Sequence, residues 1–444
     1  MRLTALTPDL LRKAITIYQD LAYGQSLLTA GDGTAYGLDD VRHLRELAEE
    51  APVIELVNST IAQAADERAS DIHIEPDEST FTIRYRIDGV LQTRQVLPRD
   101  RFDAVASRIK LVSNLDIAER RLPQDGRFST RAGGLEFDIR VSAIPAKHGE
   151  SIVLRLLPKE RRDLDLAKLG MEADHLAIIN RWAQEPNGIV LVTGPTGSGK
   201  STTLYTALKL ANDGQKKIIT VEDPIEYKMS GIVQIQAHAE IGYTFARALR
   251  SILRHDPDII MVGEIRDKET AEIAIQAALT GHMVFSTLHT NSAVASFNRL
   301  LDMGIEPFLI TSSVRAVVAQ RLVRQLCPKC STPHAPGAVF SDWFGRARSR
   351  WGKFLPAAAN WRQAVGCSHC NHSGYVGRQA ICEIVELAPS LQSLVLERRS
   401  GGELTAAAEA LGMRSMRDDG LIKAARGVTT AEEVLRVVGD DLTQ

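Results

Sequence analysis

The chain has 444 residues, 44% of them hydrophobic, and a formal net charge of -2. That length asks for two or three domains with sizeable cores, and the charge gives no bulk electrostatic reason to expect nucleic acid as a partner. No stretch approaches the roughly 18 consecutive apolar residues that cross a bilayer, and no long apolar segment follows Met1, so a cytoplasmic chain without a secretory leader is expected.

Residues 1–48 hold short helical stretches broken by Gly31 and Gly33. A helix follows, because Ile54, Val57, Ile61 and Ala64 recur on one face. Past Asp71 the period becomes two: Phe81, Ile83, Tyr85 and Ile87 alternate with Thr82, Arg84, Arg86 and Asp88, the mark of a half-buried strand. The same alternation returns over 137–142 and 151–157. Residues 49–160 therefore read as a small α+β domain whose sheet presents Arg84, Arg86, Arg127, Arg140 and Arg155. Arginine forks toward phosphate oxygens, so such a face, joined by a hinge at 158–163, could close over a triphosphate or dock against a neighbour.

Beyond the hinge, β-branched runs at 189–193, 218–221, 259–262 and 283–287 alternate with helical patterns, which indicates a mainly parallel α/β sheet over 161–324. The first run leads into Gly194-Pro195-Thr196-Gly197-Ser198-Gly199-Lys200-Ser201-Thr202. Glycines let a backbone wrap phosphates with its N–H groups inward. Lys200 can reach the β- and γ-phosphates of ATP, and the Ser201 hydroxyl can ligate Mg²⁺. The next run ends in Glu222, Asp223 and Glu226, with Pro224 stopping the strand. Glu222 is the first candidate for polarising the attacking water and Glu226 the reserve. Glu264 follows the third run, where it could hold Mg²⁺ directly or through water. Arg266 and Asp267 suit an ion pair or a nucleotide-sensing role equally. His289 follows the fourth run and could sense the γ-phosphate.

Cys327 and Cys330 form one C-x-x-C pair and Cys367 and Cys370 another, which together complete a tetrahedral Cys₄ zinc site. A zinc lobe is thus expected over 325–378, stapled by the metal, and a helical part over 379–444. Cys382 stands outside the pattern and suits a small core residue.

In this order, residues 194–202, 220–226, 263–267 and 281–291 resemble the Walker A, Asp box, Walker B and His box of the secretion ATPases of the type II and type IV pilus class. Ala69-Ser70-Asp71-Ile72-His73, Arg84-Tyr85-Arg86-Ile87-Asp88-Gly89 and Arg121-Leu122-Pro123-Gln124-Asp125-Gly126-Arg127 are similar to segments that precede that ATPase domain. The cysteine pairs, followed by Gly374-Tyr375-Val376-Gly377-Arg378, resemble the export and assembly branch, closest to the type II secretion ATPase. The resemblance implies an α/β P-loop NTPase with a RecA-like core, a preceding small α+β (PAS-like) domain and a C-terminal zinc lobe. It also implies a Mg-dependent ATPase in a hexameric ring, partnered by the cytoplasmic part of an inner-membrane secretion platform protein. In that family Arg127 and Arg140 fall on segments whose arginines meet the nucleotide phosphates. The 48 residues before the match are a candidate remnant of a partner-binding domain.

The expected function is ATP hydrolysis driving pseudopilus assembly and protein export. The alternatives are type IV pilus assembly, a DNA uptake or conjugation motor, and a nucleotide-responsive adaptor that does not hydrolyse. Lys200, Ser201, Glu222 and Glu264 occurring together argue against the last.

Overall fold

The computed structural model describes residues 38–159 and 165–439. The segment up to residue 37, residues 160–164 (which include most of the expected hinge at 158–163) and residues 440–444 lie outside the described residues. The chain divides into two compact units between Lys159 and Glu160.

In the first unit β1 (Asp71–Pro76), β2 (Thr80–Ile87), β3 (Val90–Pro98), β4 (Gln124–Ala132), β5 (Leu135–Ala146) and β6 (Gly149–Pro158) form one antiparallel sheet in the order β3-β2-β1-β6-β5-β4. The β2–β3 turn is Asp88-Gly89, with φ of 50° and 84°. Two consecutive positive φ values match the right-handed twist of the flanking strands, and Asp-Gly accepts them cheaply. One face alternates Ile72, Ile74, Phe81, Ile83, Tyr85, Ile139 and Leu154, which pack against Val57, Ile61, Val105 and Ile109 of the helices Ala51–Asp66 and Phe102–Val112. The other face carries the charged residues of the alternation.

The second unit is built on a seven-stranded sheet of order β15-β12-β7-β11-β10-β8-β9. Its strands are β7 (Gly188–Thr193), β8 (Ile218–Glu222), β9 (Val233–Gln236), β10 (Ile259–Val262), β11 (Met283–Leu288), β12 (Val314–Leu326) and β15 (Tyr375–Glu386), all pairing parallel except β12 with β15. The four apolar runs of the sequence are the central strands β7, β8, β10 and β11. Every residue in them is buried, as expected where helices cover both faces of a parallel sheet. Cluster residues such as Leu191, Val221, Val262 and Phe297 fill one side, and Val190, Leu204, Leu208 and Phe285 the other.

The C-terminal third differs from the sequence reading. Residues 375–386 are strand β15, where a helical part was expected from 379. The antiparallel pair β12/β15 also carries the expected borders of the zinc lobe inside two strands of the ATPase sheet. Between them lie the two-residue strands β13 (Thr332–Pro333) and β14 (Arg362–Gln363), the helix Ala338–Trp351 and the short 3-10 helix Ser368–Cys370. Four helices follow β15, and the helix Gly401–Ala410 opens on a capping box of Ser400 and Glu403. Among the described residues no helix is long and apolar enough to cross a membrane.

Candidate active site and cysteine cluster

Parallel pairing delivers the loops after β7, β8, β10 and β11 to one edge of the sheet: Val262 is level with Val221 and Ser286, and Leu288 with Thr193. Open α/β sheets bind ligands beyond the carboxyl ends of their strands. β7 runs into residues 194–199, and the helix Lys200–Ala211 starts at once. Gly194 and Gly199 hold φ of 147° and 88°. A Cβ on the first would lie 2.5 Å from the Gln320 carbonyl oxygen, and on the second 2.7 Å from Gln320 Nε2, so neither position has room for a side chain.

Lys200 Nζ donates to the carbonyls of Gly194 at 2.8 Å and Pro195 at 3.1 Å. Burial pulls its pKa down, and Glu264 is the main group opposing that. The Ser198 hydroxyl is buried without a hydrogen-bond partner among the described residues. A glycine-shaped loop, a lysine and an orphan hydroxyl at a helix N-terminus together suit an anionic phosphate.

The two Asp-box glutamates occupy opposite environments. Ser201 Oγ donates to Oε1 of Glu226 at 3.1 Å, and Glu226 is exposed. Glu222 is 4% exposed. Its carboxylate accepts from Thr220 Oγ1 at 2.5 Å, from Gln234 Nε2 at 3.2 Å and from the Tyr205 hydroxyl. Burial raises its pKa, and these three donors work against that rise. The Tyr205 oxygen also accepts the Glu226 N–H at 3.2 Å. The first-choice carboxylate of the sequence is thus tied down inside the fold, and the reserve one reaches Ser201.

Glu264 pairs with Arg266, and its Oε2 lies 3.4 Å from His289 Nε2. Asp267 does not pair with Arg266; its side chain caps the helix Lys268–Leu279 by accepting the Thr270 N–H at 2.8 Å. The loop bearing His289 is pinned twice. The Thr290 N–H donates to Thr193 Oγ1 at 2.8 Å, and Arg321 donates to the Asn291 carbonyl at 3.3 Å and to its Oδ1 at 3.2 Å. Sequence reasoning misses Thr193, Tyr205 and Gln320. For Tyr205 a signal existed: it follows Ser201 by four residues and so shares its helix face.

In the first unit, strand register sets Arg86, Asp71, Arg155, Arg140 and Arg127 side by side in one row across β2, β1, β6, β5 and β4. Like charges directly opposite one another repel. Asp71 relieves part of the row, lying 3.0 Å from Arg155 and 3.7 Å from Arg86. Arg84 pairs instead with Glu75. The row is a concentrated basic strip that sequence alternation alone does not reveal.

The four sulfurs of Cys327, Cys330, Cys367 and Cys370 lie within 4.8 Å of one another. Three of the pairs sit at 3.8 to 3.9 Å, against about 3.8 Å for tetrahedral thiolates around zinc. Cys370 Sγ accepts two backbone N–H groups. Burial pushes its pKa up, but the N–H groups of Cys367 and Gly374, at 3.1 and 3.2 Å, bring it down to about 6. The set fits a closed tetrahedral metal site. Cys382 is fully buried in the core, as the sequence suggested.

The family model described as type II/IV secretion system protein matches residues 46–436. The chain belongs to that family. It is 50% identical over 424 residues to the type II secretion system protein E of Xanthomonas campestris pv. campestris, covering 94% of this chain and 74% of that one. Over 400 residues it is 48% identical to the type IV pilus assembly ATPase PilB of Myxococcus xanthus, covering 89% of this chain and 70% of that one. Among solved structures it matches the pilus retraction motor PilT with bound ADP at 26% identity and a TM-score of 0.56, covering 86% of this chain and 96% of that one. The fold is shared with the Legionella pneumophila ATPase DotB, with a TM-score of 0.60 at 22% identity over 85% of this chain and 94% of that one. This member of the family is an ATP-driven secretion ATPase, with the RecA-like P-loop core that its strand-end loops display.

Proposed function

We propose that this secretion ATPase hydrolyses Mg-ATP to extend the pseudopilus of a type II secretion system, and that Glu226 rather than Glu222 receives the proton of the attacking water. The observation behind the assignment is the Ser201–Glu226 hydrogen bond of 3.1 Å, set against the buried, three-donor environment of Glu222. A base must reach the proton it removes. Glu226 lies beside the residue that would hold the metal, and Glu222 lies behind Tyr205.

Magnesium, when bound, supplies positive charge against the phosphate oxygens. Ser201, with Glu264 directly or through water, would hold it. Lys200 moves from the Gly194 and Pro195 carbonyls to the β- and γ-phosphates, exchanging neutral acceptors for charged ones. His289 donates toward the γ-phosphate, its ring steered by Glu264. Arg127 and Arg140 stand in the basic row of the first unit, whose charge and forked donors suit phosphate oxygens. Cys327, Cys330, Cys367 and Cys370 hold a structural zinc, since four thiolates leave no open coordination position.

The working unit is a hexameric ring at the cytoplasmic side of the inner membrane, reached through a platform protein. The 48% identity to a pilus assembly ATPase keeps pilus assembly as the second reading. Deleting the gene separates the two. Loss of exported enzymes with surface pili intact is the expected result; loss of pili with export intact would transfer the function to pilus assembly.

A further inference from the structure

Strand β12 carries none of the residues proposed to touch nucleotide, yet it grips the phosphate loop. Ala319 pairs with Thr193, the last residue of β7. Gln320, the next residue, therefore lies beside the point where β7 opens into the loop, and it is fully buried. A buried carboxamide must satisfy both its ends. Nε2 donates to the Ser198 carbonyl at 2.8 Å, and Oε1 accepts from the Thr203 hydroxyl at 2.7 Å. A carbonyl can only accept, so Ser198 fixes which end of the amide faces the loop. The buried Thr203 hydroxyl locks the other end.

The consequence follows from peptide geometry. In a planar trans peptide the C=O and the next N–H point in opposite directions. Holding the Ser198 carbonyl against β12 therefore turns the Gly199 N–H away from β12. No protein acceptor takes that N–H among the described residues. The contact has no slack, because a Cβ on Gly199 would sit 2.7 Å from Gln320 Nε2. The following residue, Arg321, holds Asn291 in the His289 loop, so adjacent residues of one strand brace both loops expected to meet phosphate.

We infer that Gln320 is a positioning residue for nucleotide: its carboxamide, locked by Thr203, sets the Ser198–Gly199 peptide so that the Gly199 N–H is presented to a phosphate oxygen. The inference rests on reading residues 194–202 as the phosphate-binding loop. Gln320→Met keeps the bulk and removes the donor. Thr203→Val keeps the shape and frees the amide to turn. ADP affinity, measured with a fluorescent analogue, falls about 10- to 100-fold in Gln320→Met, the size of a lost hydrogen bond to a charged group. It falls about fivefold in Thr203→Val. KM for ATP rises in step while kcat at saturation stays close to wild type, because the bond serves ground state and transition state alike.

A residue that merely packs would lower the melting temperature and leave both constants unchanged. Wild-type ADP affinity and KM in Gln320→Met overturn the inference, as they do in Thr203→Val should Gln320→Met fail to fold. A wild-type chain that binds no ADP instead refutes the phosphate-loop reading itself.

Discussion

The strand-end loops of the ATPase sheet and the cysteine lobe are held by different amounts of regular structure. The loops stand on β7, β8, β10 and β11, which are buried throughout and flanked by large apolar clusters. The lobe has two two-residue strands, one α-helix, a three-residue 3-10 helix and a few aromatic contacts, such as those of Trp361 with Phe340, Trp343 and Phe344. Its ties to the rest of the unit are both polar and apolar: the indoles of Trp343 and Trp351 donate to the two oxygens of Asp418 at 2.8 and 3.2 Å, Phe340 joins the main apolar cluster, and Ala347 and Trp351 pack on Ile422. Chemistry that must be placed to a fraction of an ångström sits on the rigid part. The lobe has little core of its own, which is why the proposed zinc would add to its stability.

Lys200→Ala should act on the loops alone. Loss of the charge that meets the transferring phosphate lowers ATP turnover by about 10³-fold or more, with the lobe's metal content unchanged. Residual turnover near wild type in a phosphate-release assay would sink the assigned site. The converse experiment is Cys327→Ser with Cys330→Ser. Elemental analysis then shows loss of one zinc per cysteine cluster, and the emission of Trp343, Trp351 and Trp361 shifts as the lobe loosens. ADP affinity stays within about twofold, as expected of structurally independent sites. A purified wild-type chain without metal, its four thiols freely titratable, would refute the structural zinc.

The smallest expected effect lies in the charged seam beneath Asp418. Arg414 reaches Asp174, His175 and Asp419, and Lys423 also pairs with Asp419. Burial, with Arg414 and Lys423 adding to it, pushes the His175 pKa down to about 4, against the opposing pull of Asp419 and Asp174. The unfolded chain takes up this proton near pH 6.5, and the folded chain refuses it until about pH 4. The stability at stake is therefore fully present above pH 6.5 and falls by about 1.4 kcal/mol per unit as pH drops toward 4. Urea midpoints of His175→Gln should lose that part of the slope. An unchanged slope would mean His175 is not the group responsible.

Much of this architecture is legible in the residues. The apolar runs before the loops, the spacing of the phosphate loop and the cysteine pairs each carry their own physical signature. β12 hides because its buried face includes polar Gln320, which breaks the apolar pattern for the sake of the loop beside it. The arginine row hides because alternation tells which face a residue takes but leaves strand register open. The proposed reversal at the Asp box has a similar cause. Both glutamates come at the end of an apolar run, and only the chain's course past Pro224, with Tyr205 rising from the helix Lys200–Ala211, decides which one is buried.

The most direct test of that reversal compares Glu226→Gln with Glu222→Gln in a single-turnover assay that separates bound ATP from released phosphate. Glu226→Gln should bind Mg-ATP normally and hold it unhydrolysed, with the chemical step slowed about 10²- to 10⁴-fold, the usual worth of a general base. Glu222→Gln should hydrolyse at a rate much nearer wild type and lose mainly stability. If Glu222→Gln traps ATP and Glu226→Gln turns it over, the buried carboxylate is the base after all and the proposed site is wrong.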